Sequence, residues 1–466
     1  MSNRFLLATA AAALGAHVTL AAAATAPRPY VITYTSSTVP ANAASTISAA
    51  GGRLVRTIPD VGLAIAVAER SSFASAIRKS ASVASAELAT GWKIERAAAR
   101  QVPSSKGPTV EDQYYNAGEV WGVDRVHAPQ AWDAGYTGSH SAVVAVIDTG
   151  IAWNHPDLAG NVVHVDCYTM AGSYADGACN PYPEFSLHGT HVAGTVAAQF
   201  GGGKVVGVAP DAGLASYNTF EVIPDCGVCT YDFTRWQAMI DAARRGFKVI
   251  NMSLGGYGFI GGPGTNELTA FLAADKRVID YVTKLGTAVV SSSGNGGVNL
   301  NGPIVHIPGD SPGAINTGAT GIRPNPRFEP GVSYDVIAFY SNYGAPVDIS
   351  APGGDCGEDL DCTASLPNWF EYLVLSTGVD LGSAEETGVP AKCARRAACD
   401  TGYWYLGGTS MATPHVSGVA ALVYAANPGI SASQVKSVLK QTADDVGNRL
   451  LFGAGVVDAA AAVGAP

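Results

Sequence analysis

GGTSMATPHVSG, residues 407–418, places a serine behind two glycines and a proline four residues after that serine. The sequence that follows, VAALVYAANPG, has apolar residues at helical spacing and a Pro-Gly stop, so it predicts a helix. A proline costs least in the opening turn of a helix, where backbone N–H groups have few intrahelical partners. Ser410 is therefore predicted at or near a helix N-terminus, on a glycine-rich approach.

Around this stretch, apolar runs alternate with helical segments over most of the chain. The clearest runs are SAVVAVID (141–148), FKVINMSL (247–254) and TAVVSSSG (287–294). Strands that are buried on both faces and separated by helices are typical of a parallel sheet. The predicted fold class is α/β, with three layers and a mostly parallel central sheet.

The N-terminal part has a different pattern, which predicts four segments. Residues 1–24 are predicted as a secretory signal peptide, because one arginine precedes an alanine-rich apolar run, with Ala22 and Ala24 before the cut. An uncleaved anchor is the alternative. Residues 27–97 predict a small α+β unit of order βαββαβ. Residues 98–118 predict a linker, and residues 119–466 form the main domain.

Charge and composition limit the partners. The net charge is −10 and the basic residues are scattered, which argues against a nucleic-acid or anionic-membrane partner. Residues 27–100 carry a balance of +5 and residues 101–466 a balance of −16. The small unit is therefore predicted to be electrostatically matched to the large one. After signal removal the protein is expected to be secreted, extracellular or periplasmic, and off the membrane.

The eight cysteines are even in number and suit disulfides in an exported chain. Their short spacings favour the pairs Cys167–Cys179, Cys226–Cys229, Cys356–Cys362 and Cys393–Cys399. CGVC (226–229) allows a redox dithiol or half a zinc site as alternatives, but no second CxxC or histidine pair accompanies it.

Four polar residues stand at the ends of predicted elements. Asp148 ends an apolar strand, where sites gather in open parallel sheets, and His188 opens a predicted helix. Together with Ser410 they suit a triad in which serine attacks, histidine transfers the proton and aspartate orients the imidazole. Asn295, in a glycine-flanked turn, can donate to a developing oxyanion together with the backbone N–H of Ser410.

VAVIDTGI (144–151), HGTHVAGT (188–195) and GTSMATPHVSG (408–418), in this order, resemble the subtilase family of serine peptidases. The resemblance implies the triad Asp148, His188 and Ser410, with Asn295 as the oxyanion donor. It further implies two walls of a specificity pocket, one of which is also an edge for an extended substrate. The residues of these walls are Ser253, Leu254, Gly255 and Gly256 on one side, and Ser292, Ser293 and Gly294 on the other.

The resemblance also implies a zymogen. Residues 27–97 resemble an inhibitory propeptide, and the maturation cut is expected between Arg96 and Gln113. The expected product is a monomeric endopeptidase that prefers large apolar residues before the scissile bond. The chemistry is expected to require no cofactor. The expected partners of the enzyme are protein and peptide substrates and its own propeptide. Structural calcium is possible at Asp157, although Gly201 replaces an asparagine ligand and Lys204 adds positive charge.

The sequence departs from the subtilase pattern in places, and alternative functions remain open. Leu187 and the pair Ser292 and Ser293 differ from the usual family residues beside the cleft. A processing peptidase with a narrow substrate is one alternative, and an inactive subtilase-like binding module is another. Ser410 alone would also resemble an esterase elbow, but Ala412 occupies the final glycine position of that motif. His188 and His191 are poor evidence for zinc without an HExxH motif.

Overall fold

The computed structural model describes residues 27–94, 98–102, 110–262, 264–323, 334–356 and 369–465. The chain divides into two compact units, and the boundary lies between Ala89 and Thr90. The predicted signal peptide lies outside the described residues, as do residues 103–109 of the predicted linker. In the part of the chain that is described, no helix is both long and apolar enough to cross a bilayer.

The first unit is a four-stranded antiparallel sheet with two helices, and its elements follow the predicted order βαββαβ. Both helices bury an i, i+4 pair, Ala43 with Ile47 and Phe73 with Ile77, which fixes one apolar face on the sheet. The strand order is β2-β3-β1-β4. The elements are β1 (Arg28–Tyr34), α1 (Ala43–Ala49), β2 (Arg53–Ile58), a 3₁₀ turn (Pro59–Val61), β3 (Leu63–Ala68), α2 (Phe73–Ile77) and β4 (Val83–Leu88).

The second unit contains the larger sheet. Its strands are β5 (Gly91–Trp92), β6 (Ala98–Gln101), β7 (Val144–Asp148), β8 (Val162–Cys167), β9 (Leu214–Asn218), β10 (Phe220–Ile223), β11 (Gly227–Tyr231), β12 (Val249–Met252), β13 (Gly256–Phe259), β14 (Ala288–Ser292), β15 (Ile304–Ile307), β16 (Ile315–Arg323), β17 (Tyr334–Ile337), β18 (Ile349–Pro352), β19 (Val374–Val379) and β20 (Thr401–Gly407). The strand order is β17-β16-β14-β12-β7-β9-β8, and β18 also pairs with β16.

The helices of this unit cover the sheet. They are α3 (Gln113–Asn116), α4 (Trp121–Arg125), α5 (Ala128–Asp133), α6 (His188–Ala197), α7 (Asp232–Arg244), α8 (Thr265–Lys284), α9 (Ala384–Thr387), α10 (Thr409–Ala426), α11 (Ala432–Thr442), α12 (Arg449–Phe452) and α13 (Ala459–Val463), with 3₁₀ helices at Trp369–Tyr372 and Lys392–Arg396. Val144 and Val146 pack into the core that holds α6 and α10. Alternate residues of β7 point to the opposite face, and α7 packs on that strand.

Apart from the antiparallel pair β16–β17, the neighbours in this sheet run parallel. The predicted α/β class with a mostly parallel central sheet is therefore confirmed. The three apolar runs of the sequence form β7, β12 and β14, which are adjacent. Because they run parallel, their carboxyl ends lie at one edge of the sheet, and this edge carries the predicted site.

Three of the four predicted disulfides are present: Cys167–Cys179, Cys226–Cys229 and Cys393–Cys399. Cys356 is also disulfide-bonded, but its predicted partner, Cys362, lies outside the described residues. The bond at Cys226–Cys229 means that CGVC is not a reduced dithiol here. It closes the hairpin of β10 and β11.

Candidate active site

The structure brings the predicted site residues to one edge of the sheet. Asp148 is the last residue of β7 and His188 is the first residue of α6. Ser410 is the second residue of α10, and Pro414 lies inside that helix rather than in its opening turn. Asn295 follows β14 in the glycine-flanked turn. Helix starts and strand ends thus position all four side chains.

Asp148 and His188 form a buried pair. His188 Nδ1 lies 2.9 Å from Asp148 Oδ1 and 3.0 Å from Oδ2. Thr149 donates its backbone N–H to Asp148 Oδ1 at 2.7 Å, which holds the carboxylate in place. Gly189 is required beside it, since a Cβ there would lie 2.5 Å from the Gly150 carbonyl oxygen. Among the described residues, His188 Nε2 has no hydrogen-bond partner.

Ser410 exchanges two hydrogen bonds with Ser253. The Ser410 hydroxyl donates to the Ser253 carbonyl at 3.0 Å, and the Ser253 hydroxyl donates to the Ser410 carbonyl at 2.8 Å. The second bond replaces a helical one, because Pro414 has no N–H to give to the carbonyl four residues earlier. The serine is therefore fixed to the predicted pocket wall, with its hydroxyl hydrogen-bonded away from His188.

Thr409 holds Asn295 from two directions. Its backbone N–H and its hydroxyl both donate to Asn295 Oδ1, at 2.9 and 2.8 Å. The same hydroxyl accepts the backbone N–H of Gly294 at 3.2 Å. With Oδ1 taken by these donors, the amide nitrogen of Asn295 is left on the other side of the carboxamide. Thr409 lies inside the most specific sequence motif, but the motif alone does not indicate this role.

The two predicted pocket walls continue neighbouring strands. The residues of 253–256 follow β12, the residues of 292–294 follow β14, and the two strands pair in parallel. The Ser292 hydroxyl donates to the Leu254 carbonyl at 3.4 Å, which joins the walls directly. His306 fills the space behind them, since a Cβ at Gly255 or Gly294 would meet its ring at 2.4 or 2.5 Å. Burial lowers the pKa of His306 to about 4. No sequence motif indicated that His306 lies beside the pocket.

His191, the other histidine of the motif, packs inside the protein. Its Nε2 lies 2.9 Å from the Trp404 carbonyl oxygen and 3.1 Å from that of Val374. Burial lowers its pKa to about 3. These contacts give His191 a structural role. Leu187, one of the departures from the family pattern, lines a cavity of about 330 Å³ together with Phe185 and Trp404.

The groups around Asp157 match a calcium site poorly, although Asp157 Oδ1 has no hydrogen-bond partner among the described residues. The Tyr403 hydroxyl donates to Asp157 Oδ2 at 2.8 Å, and a Cβ at Gly203 would overlap both carboxylate oxygens. Lys204 follows in the same loop, with its ammonium 5.3 Å from the ring centre of Tyr114. Within the described ranges, no cluster of three His, Cys, Asp or Glu ligands includes Asp157. Burial raises the pKa of this carboxyl to about 7, against the lowering effect of the Tyr403 hydrogen bond.

Comparison with known proteins settles the family. The model of the subtilase family (Peptidase_S8) matches residues 139–456. The chain belongs to the subtilase family. It is 31% identical over 346 residues to subtilisin NAT of Bacillus subtilis subsp. natto, covering 73% of this chain and 70% of that one. It is 33% identical over 342 residues to alkaline elastase YaB of Bacillus sp. (strain YaB), covering 73% and 69%.

A solved structure agrees in fold. The crystal structure of fervidolysin from Fervidobacterium pennivorans, described as a keratinolytic enzyme related to subtilisin, matches with a TM-score of 0.68. The match is 24% identical, covers 95% of this chain and spans 61% of the fervidolysin chain. As a subtilase, this chain is a serine-type endopeptidase of protein or peptide substrates. Subtilisins need no cofactor for catalysis, and some bind structural calcium.

We expect calcium to leave the thermal stability of this protein unchanged. Because Asp157 Oδ2 accepts from a hydroxyl donor and Gly203 packs tightly against the carboxylate, the unfolding midpoint with excess chelator should match that in millimolar CaCl₂ within about 1 °C. An ion at 100 times its dissociation constant would instead add about 2.7 kcal/mol and several degrees. Calorimetry on Ser410→Ala, which avoids self-digestion, measures this. A rise of several degrees that Asp157→Asn abolishes would place an ion at this carboxylate.

Proposed function

We propose that this chain is a secreted serine endopeptidase, made as a self-processing zymogen, with Asp148, His188 and Ser410 as its catalytic triad. The buried contact between His188 Nδ1 and Asp148 carries the proposal. It fixes the tautomer with the proton on Nδ1, because only an N–H can donate to the carboxylate. Nε2, the nitrogen without a partner among the described residues, is then the base.

The reaction follows from these roles. Ser410 Oγ attacks the substrate carbonyl carbon while its proton passes to His188 Nε2, and Asp148 stabilises the imidazolium. Collapse of the tetrahedral intermediate breaks the C–N bond, and the proton moves from Nε2 to the leaving amine. Water then attacks the acyl-enzyme through the same two steps, and the carboxylic acid product leaves Ser410. The serine hydroxyl must first leave the Ser253 carbonyl, which a rotation about its Cα–Cβ bond allows.

Asn295 and the Ser410 backbone N–H are the proposed donors to the oxyanion. The first N–H groups of a helix have no intrahelical acceptor, and the helix dipole favours negative charge at that end. Since Thr409 fixes the carbonyl side of Asn295, the amide group is oriented before the charge forms. Such preorganisation is the main source of electrostatic catalysis.

The first unit is the proposed propeptide, and the chain just after it supports self-cleavage. β5 pairs antiparallel with β11, and β6 pairs antiparallel with β20, which ends at Gly407, three residues before Ser410. The chain therefore reaches the two sides of the cleft in extended form. We place the maturation cut between Ile94 and Ala98, within or just before the start of the range predicted from sequence. The released enzyme would act as a monomer.

The mass of the secreted protein tests this proposal. Wild type should lose everything before the 94–98 segment, whereas Ser410→Ala should lose only the signal peptide, because its cut needs the nucleophile. Intact-mass spectrometry over time, with N-terminal sequencing of the product, measures both. If Ser410→Ala is cut at the same bond in a purified preparation, self-processing is wrong. If neither protein is cut, activation by another enzyme replaces it.

Thr409→Val should lower kcat about 10-fold while the protein stays folded. The isosteric change removes the hydroxyl that holds Asn295 and Gly294, and a small misplacement of a catalytic group costs this much or more. Thr413→Val is the matched control, because its buried hydroxyl donates only to the Thr409 carbonyl one turn earlier. Equal loss in both variants would mean that the effect comes from the helix rather than from Asn295.

Large apolar residues directly before the scissile bond should be preferred. The walls at 253–256 and 292–294 are buried backbone and small side chains, with Leu254 on one side. They contain no charged group that could pair with a substrate charge. A panel of chromogenic peptides that differ at this position should rank Phe and Leu above Lys and Glu. Preference for either charged residue would contradict this assignment.

A further inference from the structure

Trp92 fills a pocket in the strand-lined part of the cleft. In β5 it pairs with Thr230 of β11, the strand whose hairpin is closed by Cys226–Cys229. Its ring lies on Gly256, where a Cβ would overlap the indole. Gly256 ends the predicted pocket wall and begins β13. Trp92 therefore lies where an extended substrate segment would lie if it added to β11.

The indole N–H of Trp92 contacts a buried carboxylate. Trp92 Nε1 donates to Asp232 Oδ1 at 2.5 Å, and Asp232 is fully buried. The ring of Phe271 lies 6.2 Å from that of Trp92, between centroids, and is tilted by 59°. The pocket therefore offers an aromatic ring an apolar wall, a flat glycine surface and one polar atom that faces the N–H edge of the ring.

The carboxylate itself is part of a buried charge cluster. Arg235 Nη2 lies 3.3 Å from Asp232 Oδ1 and 2.8 Å from Asp275 Oδ1. Trp236 Nε1 donates to the same Asp275 oxygen at 2.6 Å. Asp232 Oδ2 has no partner among the residues described. Without Trp92, the Asp232 carboxylate would keep one hydrogen bond among the residues that the structure describes, from Arg235, and a buried polar group left unpaired is costly.

We infer that Asp232 is a specificity-determining residue that selects tryptophan in protein substrates, several residues before the scissile bond. The inference rests on the proposed function, in which β5 occupies the cleft before the cut. With the cut between Ile94 and Ala98, Trp92 stands at the third to sixth residue before the bond. The substrate class is an extended segment with a small residue before the tryptophan, since a Cβ at Gly91 would already lie 3.2 Å from Cys226 Sγ.

Other side chains satisfy the pocket less well. Phenylalanine fills the apolar space but leaves the Asp232 oxygen without its donor. Lysine or arginine would bring a second cation near Arg235, which already lies 3.3 Å from that oxygen. A site built to bond an N–H rejects an analogue that lacks it more strongly than an apolar site rejects a change of size. Tryptophan alone combines a large flat ring with a single edge donor of this reach.

Peptides copied from residues 90–101, with a fluorophore and a quencher at the ends, test the inference on the mature enzyme. Wild type should cleave the native peptide with kcat/KM at least about 10-fold above the Trp92→Phe peptide, the effect of one charge-assisted hydrogen bond. In the Asp232→Asn enzyme this ratio should fall to about 2-fold or less. Asp241→Asn, which changes a carboxylate outside the pocket on the same helix, should keep the ratio.

Equal cleavage of the two peptides by wild type would overturn the inference and leave the proposed function intact. This comparison needs no enzyme variant, so it decides the matter even if Asp232→Asn does not fold. Failure to cleave any peptide, or denatured casein, would instead contradict the proposed function. A ratio that stays high in a folded Asp232→Asn enzyme would show that the pocket walls, rather than the carboxylate, select the tryptophan.

Discussion

The hydrogen bond from the Ser253 hydroxyl to the Ser410 carbonyl holds the site together. Pro414 removes the helical donor to that carbonyl, so the bond from β12 replaces it. Asn251 donates to the Ser253 hydroxyl at 3.1 Å and accepts from Ser417 at 2.8 Å. The end of β12 and the first turns of α10 are thereby tied in register. Helix α10 is buried from Thr409 to Tyr424, so neither partner can shift without disturbing the core.

This tie explains why one helix start can serve both recognition and chemistry. The same short segment carries the nucleophile, contacts the pocket wall through Ser253, and fixes Asn295 through Thr409. Every one of these contacts involves a backbone group or a short hydroxyl side chain, which have few rotamers to lose on ordering. The catalytic geometry therefore depends on the packing of α10 against the sheet rather than on long flexible side chains.

Sequence predicted the α/β fold and the residues at the sheet edge well, because apolar strand runs and a specific motif mark them directly. It predicted the three disulfides that the structure describes through short loop spacing, which limits the partners. It placed Pro414 too early in its helix, since the bond that compensates for the proline comes from Ser253, far away in the chain. His306 and the Asp232–Arg235–Asp275 cluster were missed for the same reason: only the folded sheet brings β15, α7 and α8 beside the cleft.

The Asp232–Arg235–Asp275 cluster beside the cleft is better explained by substrate recognition than by stabilisation of the fold. Two buried carboxylates share one guanidinium, and apolar residues of similar volume often serve stability as well or better. The contact between Trp92 and Asp232 does not involve the scissile bond, so a cut in the 94–98 segment leaves it unchanged. An interaction that binds substrate and product equally does not speed the chemical step. It would instead keep the cut segment in the cleft, so under the proposed zymogen mechanism a pocket that recognises tryptophan in a substrate would also prolong inhibition by the released propeptide.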